Sequence, residues 1–244
     1  MRVIYVFDTY CGWCYGFESV FSKFLKNHPE ISLEMYSGGL FVGGETIKAS
    51  MLEHVKESNA RITRYYGVPF GDAYERQLAA GNLKMDSVKP AIAFALVREM
   101  LPKTQWGEFI YEVQRAFYID GKDLNEPEIF VDIARNLGVD ADKYASELKN
   151  NWDNKTLAED DFKKSDSFGV ESFPTLLIEV DGKYHNLLSG ANTVEKLEQN
   201  FRNYSQLGEG DTAPSCKIDG SGCKCNELKK KRKSFRFPLF HFYQ

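Results

Sequence analysis

From residue 15 to residue 215 this chain contains no cysteine. A secreted fold stapled by disulfides spreads its cysteines through the body, so that class is excluded. No apolar stretch approaches the roughly 20 residues that span a bilayer. The start shows no charged n-region, apolar h-region or small-residue cleavage site, so a cytoplasmic location is expected, with no membrane partner. Histidine is scarce: His28, His54, His185 and His241 are scattered, and each reads as a surface or loop residue rather than a metal ligand. Excess positive charge is missing too. The net charge is −4, and residues 206–244 hold eight Lys/Arg against four Asp/Glu, so residues 1–205 carry −8. An acidic body argues against nucleic acid as its main partner. With 244 residues, 43% of them hydrophobic, the chain can form one large domain or a small core carrying an insertion.

What the chain does have stands near its start. Cys11-Gly12-Trp13-Cys14 follows the apolar run Val3-Ile4-Tyr5-Val6-Phe7 and precedes a helix-like segment. Two cysteines at that spacing close a small disulfide ring or open to two thiols. A helix N-terminus offers unpaired N–H groups and a partial positive charge that stabilise a thiolate on the first cysteine. A thiolate is the species that attacks a disulfide. The competing reading is half of a zinc site, which needs a second pair at suitable spacing. The preceding strand and following amphipathic helix favour redox chemistry, which requires neither a cofactor nor a metal.

The pattern along the chain predicts a strand over 2–7 and a helix over 12–27, with Phe17, Val20, Phe21, Phe24 and Leu25 at helical spacing. A second strand follows over 31–36, completing a βαβ unit. Gly38-Gly39 and Gly43-Gly44 then mark a loop, and residues 45–168 read as almost entirely helical. Within that stretch Ala91 to Val97 is a buried helix, and Phe109, Val113, Ala116 and Phe117 form one stripe. Asn125 with Glu128 resembles an N-terminal capping pair, and Gly138 a stop. Trp106 reads as core or groove lining, and Glu159-Asp160-Asp161 as a solvated helix face. Strands return at Thr175 to Val180 and Lys183 to Leu188, joined by the hairpin signal Asp181-Gly182. A last helix, capped by Thr193, runs through Phe201. The predicted division is a core of residues 1–44 and 169–205, a helical insertion of 45–168, and a flexible, cysteine-containing basic tail of 206–244.

A second chemical signal is Ser172-Phe173-Pro174-Thr175 at a strand start. Its plain reading is an entry turn. Its functional reading is a cis X–Pro bond facing the cysteines, exposing the backbone of the preceding residue to an extended substrate chain.

Taken together, Asp8-Thr9-Tyr10-Cys11-Gly12-Trp13-Cys14-Tyr15-Gly16-Phe17, Gly38-Gly39-Leu40, Ala116 to Asp123 and Gly169 to Leu176 resemble the DsbA-like branch of the thioredoxin superfamily. More narrowly they are similar to the cytosolic protein-disulfide isomerases related to FrnE. The resemblance spans about residues 1–205. It implies an α/β, thioredoxin-like fold with a large all-helical insertion, and a thiol–disulfide oxidoreductase or protein-disulfide isomerase. Cys11 would attack and Cys14 resolve. Gly12 and Trp13 would tune the pair, and Phe173, Pro174 and Thr175 would shape the substrate groove. Partners would be protein thiols and disulfides and a cellular thiol reductant or oxidant. Periplasmic relatives usually carry histidine before the second cysteine. Trp13 stands there, so strong oxidising power is not implied. Two other classes stay open: an adaptor that presents clients to a protease, and a small-molecule enzyme of glutathione-transferase type, against which Cys11 and Cys14 count. Cys216, Cys223 and Cys225, outside the resemblance, read as incidental thiols, soft-metal ligands or an internal electron relay.

Overall fold

The computed structural model describes residues 1–81 and 83–208; Cys216, Cys223, Cys225 and the basic run lie outside the described residues. Strand β1 (Arg2–Phe7) and helix α1 (Gly12–Asn27) lead to β2 (Ser32–Ser37), which pairs parallel to β1 with Val3 opposite Leu33 and Tyr5 opposite Met35. Far along the chain, β5 (Thr175–Val180) returns antiparallel to the other edge of β1, and β6 (Lys183–Asn186) pairs with β5. The sheet order is β2-β1-β5-β6. Asp181 and Gly182 both take positive φ in the β5–β6 turn, as a two-residue hairpin requires. Helix α9 (Val194–Gly208) closes the chain of described residues, with the Thr193 hydroxyl accepting from the Lys196 N–H.

β1 is buried on both faces, which is why it reads as a continuous apolar run rather than an alternation. Val3, Tyr5 and Phe7 enter the main core with Phe17, Phe21 and Phe24 of α1. Ile4 and Val6 pack on the opposite face with Leu177, Tyr36, Phe168 and Phe173. The Tyr5 and Phe21 rings lie 4.4 Å apart, and Phe7 meets Phe94 edge-on at 5.3 Å.

Between β2 and β5 lie α2 (Leu52–Tyr66), α3 (Asp72–Ala80), α4 (Val88–Val97), α5 (Trp106–Tyr118), α6 (Pro127–Asn136), α7 (Ala141–Asn151) and α8 (Thr156–Ser167). This is a thioredoxin-like fold with a helical insertion. One detail differs from the sequence reading: a two-residue ladder, β3 (Glu45–Thr46) against β4 (Lys84–Met85), sits within the insertion. Segments that short carry no periodicity to read.

Two local expectations are corrected. Helix α6 begins at Pro127 after Glu126, with no side-chain cap, while the Asn125 amide turns back to donate to Asp123 Oδ1 at 2.7 Å. A proline at the first helical position presets φ and displaces the cap by one residue. The acidic run is not uniformly solvated: Glu159 and Asp160 are exposed, but Asp161 is buried. Asp161 pairs with Arg98, the C-cap residue of α4, at 2.8 Å and accepts the Ser37 N–H at 3.1 Å. Arg98 also donates to Met35 O, so α8, α4 and the end of β2 share one polar tie. Burial keeps the Asp161 carboxyl above its usual range in spite of Arg98. His28, the C-cap residue of α1, stands between Glu30 and Glu198, 2.8 Å from each, and packs on Phe24 and Phe201.

Candidate active site

The loop Asp8-Thr9-Tyr10 carries the chain from β1 to α1 and delivers Cys11 as the N-cap residue of α1. The Cys11 N–H donates to Asp8 O at 3.1 Å, and the Cys14 N–H donates to Cys11 Sγ at 3.4 Å. The first sulfur thus sits where the unpaired N–H groups of a helix start converge. Both cysteines are free thiols; Cys11 is 6% exposed and Cys14 is fully buried. Burial, reinforced by the hydrogen bond to Cys11, pushes the Cys14 thiol well above the usual cysteine range.

The second loop meets the first. Phe173-Pro174 is a cis peptide, and the Cys11 thiol donates to Phe173 O at 3.4 Å, across 162 residues of sequence. Thr175 Oγ1 donates to Ser172 O at 2.6 Å and closes the turn. Gly38, at the end of β2, makes room for Phe173: a Cβ there would lie 2.0 Å from the ring. Cys11, Cys14, Phe173, Pro174 and Thr175 are therefore brought together from the two ends of the core.

The remaining walls come from residues the sequence reading did not single out. The Asp8 carboxyl is buried and accepts the N–H groups of Tyr10 at 2.9 Å and Leu40 at 2.8 Å, tying the cysteine loop to the loop after β2. Burial raises its pKa, against those hydrogen bonds. From α5, the Tyr118 hydroxyl donates to Tyr10 O at 2.6 Å and the Gln114 amide to Asp8 O at 3.4 Å. From α2, Ile62 and Tyr66 lie against Gly12 and Gly16, and Tyr65 meets Trp13 edge-on at 6.0 Å. Behind Cys14, one helical turn on, Glu18 is fully buried with Oε1 bonded to Ser22; burial pushes its carboxyl up to about 8. Asp8 and Tyr118 lie inside the motifs quoted from the sequence, but no local pattern marks α2 as the neighbour of the CxxC. Among the described residues no cluster of three or more His, Cys, Asp or Glu could hold a metal ion.

A four-stranded mixed sheet, a CxxC at the start of the first helix and a facing cis-proline loop define a thioredoxin-fold protein with a helical insertion. The chain belongs to the DSBA-like thioredoxin domain family, whose model matches residues 2–202; this is a family of thiol–disulfide oxidoreductases. No curated protein matches the chain. Among solved structures, it is similar to the cytosolic disulfide reductase DsbM from Pseudomonas aeruginosa, at 21% identity and a TM-score of 0.69, covering 85% of this chain and 98% of that one. It is also similar to a candidate protein disulfide isomerase from Nitrosomonas europaea, at 18% identity and a TM-score of 0.71, covering 86% and 98%. A third relative in fold is a candidate DsbA oxidoreductase from Streptomyces coelicolor, at 16% identity and a TM-score of 0.63, covering 93% and 97%. Among the described residues no helix is long and apolar enough to cross a membrane.

Proposed function

We propose that this protein is a cytoplasmic thiol–disulfide oxidoreductase of protein-disulfide isomerase type, working through Cys11 and Cys14. Cys11 is the attacking sulfur: it stands at a helix start and keeps a small exposed surface, whereas Cys14 has none. Cys11 joins a substrate sulfur in a mixed disulfide, and Cys14 then attacks Cys11, closing the Cys11–Cys14 disulfide and releasing the substrate thiol. Phe173, Pro174 and Thr175 line the approach, and the Phe173 backbone pairs with an extended substrate chain. Gly12 lets α2 press on the dithiol, and Trp13 borders it. The dithiol and groove belong to a core of residues 1–44 and 169–205, with 45–168 as the insertion. Substrates are protein thiols and disulfides, and a cellular thiol pair recycles the dithiol. The cytoplasmic placement is supported by the name of the Pseudomonas relative.

The single observation that carries this reading is the convergence on Cys11 Sγ of the Cys14 N–H and the Phe173 carbonyl, each 3.4 Å away. The test is equilibration with glutathione buffers, read by mass spectrometry, alongside trapping with Cys14→Ser. The expected result is one Cys11–Cys14 disulfide in the parent protein and a stable Cys11 mixed disulfide in the variant. A potential near −270 mV, roughly that of thioredoxin, marks a reductase or isomerase; one near −120 mV marks an oxidant. Absence of the Cys11–Cys14 disulfide at every poise overturns the reading.

A further inference from the structure

Helix α2 presses on α1 at Gly12 and Gly16. A Cβ on Gly16 would stand 2.4 Å from the Tyr66 ring, and one on Gly12 would stand 2.9 Å from Ile62 Cδ1. Ile62 is buried by this approach and Tyr66 half-buried, whereas their neighbours Arg61 and Tyr65 are exposed. Both exposed residues flank Trp13, the residue that separates Gly12 from Cys14. The Arg61 guanidinium carbon lies 5.7 Å from the centre of the Trp13 ring, and the Tyr65 ring meets the same indole edge-on. Arg61 makes no ion pair among the described residues.

A guanidinium held at cation–π distance from an indole still has N–H donors to offer, and that planar fork matches a carboxylate. The cation–π contact also favours this placement of the cation before any ligand arrives, which lowers the entropy lost on binding. The background makes a local cation count: residues 1–205 carry −8, so an acidic substrate meets general repulsion elsewhere on this surface.

We infer that Arg61 is a specificity residue of the dithiol site, receiving a carboxylate carried next to the reactive sulfur, so that the protein prefers acidic disulfide substrates to basic ones. This rests on the proposed exchange at Cys11 and Cys14. In each turnover the Cys11 thiolate attacks one substrate sulfur, a Cys11–substrate disulfide forms, and the other half leaves as a thiolate that takes up a proton. Cys14 then gives up its proton and attacks Cys11, closing the protein disulfide and releasing the second half. Two electrons pass from the dithiol to the substrate.

The experiment is a single turnover of the fully reduced full-length protein with short peptide disulfides that differ only in a Glu, Gln or Lys beside the cysteine, followed by tryptophan fluorescence and by mass. The parent protein reacts in the order Glu, Gln, Lys at low salt. In Arg61→Gln the Glu-to-Lys rate ratio falls by about two- to fivefold, the range of one exposed ion pair, and in Arg61→Glu it falls further. The ratio in the parent shrinks as salt rises. Lys56→Gln, the same charge change elsewhere on α2, keeps the parent ratio. An unchanged ratio in Arg61→Gln overturns the inference, as does an equal loss with all three peptides, which would make Arg61 a prop for Trp13. If no peptide oxidises the dithiol of the parent, the exchange reading itself fails and the inference falls with it.

Discussion

The hydroxyl of Tyr118 donates to the carbonyl of Tyr10 across 2.6 Å, binding the last turn of α5 to the residue before Cys11. Tyr118 is buried, stacked on Tyr15 at 5.0 Å and edge-on to Phe70 at 5.4 Å, so its hydroxyl is held by rings on several sides. The insertion thus sets the backbone from which the first sulfur is presented.

Tyr118→Phe keeps those rings and deletes the donor. Leaving a buried carbonyl unpaired costs about 1–3 kcal/mol. The expected outcome is a lower urea midpoint with an unchanged slope, together with faster amide exchange at Cys11. A variant as stable and as protected as the parent would remove Tyr118 from any role in holding this loop.

The Arg98–Asp161 pair gives a sharper loss. Arg98→Ala strands a buried carboxylate, a change that typically costs about 3–5 kcal/mol. Burial already raises the Asp161 pKa, and losing Arg98 raises it further. The folded form then holds a proton that the unfolded chain gives up, so stability declines as pH rises. Denaturant titrations should show Arg98→Ala much weaker than the parent at pH 8 and partly recovered at pH 4.

Glu18 makes a pH prediction in the parent protein. Its folded pKa is raised by burial to about 8, whereas an unfolded glutamate titrates near 4.3. Its contribution is fully present below the unfolded value and is lost as pH rises through that window, at up to about 1.4 kcal/mol per unit. Glu18→Gln, which mimics the protonated form, flattens this dependence. Melting temperatures of the two proteins should converge near pH 4 and separate by pH 8, with the variant higher.

His28 acts at the other end of α1. Burial lowers its pKa, but the hydrogen bonds that its ring N–H groups donate to Glu198 and Glu30 more than offset this, and the net shift is upward. The charged clamp between α1 and α9 is therefore complete below the unfolded histidine value and is lost as pH rises through the folded one. Protection of the α9 amides, corrected for the intrinsic base-catalysed rate, should fall as pH rises above the unfolded histidine value of about 6.5 in the parent, and show no such fall in His28→Gln.

β1, α1 and β5 were legible because each announces itself locally. The five-residue apolar run from Val3 to Phe7, a helical stripe from Phe17 to Leu25 and a proline before Thr175 need no distant partner to be read. Asp161 shows the limit. Within its own segment it is one acid among three, and only the arrival of Arg98 from α4 and the Ser37 N–H from β2 makes it buried. Asn125 failed as a cap for a nearer reason: Pro127 starts the helix one residue later than the capping pattern implied.

The sequence by itself determined the chemistry available here: two thiols at the start of a helix, a proline at the head of a late strand, and an acidic body without cysteine between them. Backbone propensity and hydrophobic period act over a few residues, and these features are of that length. The tertiary structure alone decided that Tyr118 holds Tyr10 and that Arg61 lies over Trp13, and it turned the expected facing of the two loops into a contact of Phe173 O with Cys11 Sγ. Those contacts join residues 48 to 162 positions apart, and no local pattern encodes which distant surfaces will meet when the sheet closes and the insertion packs onto it.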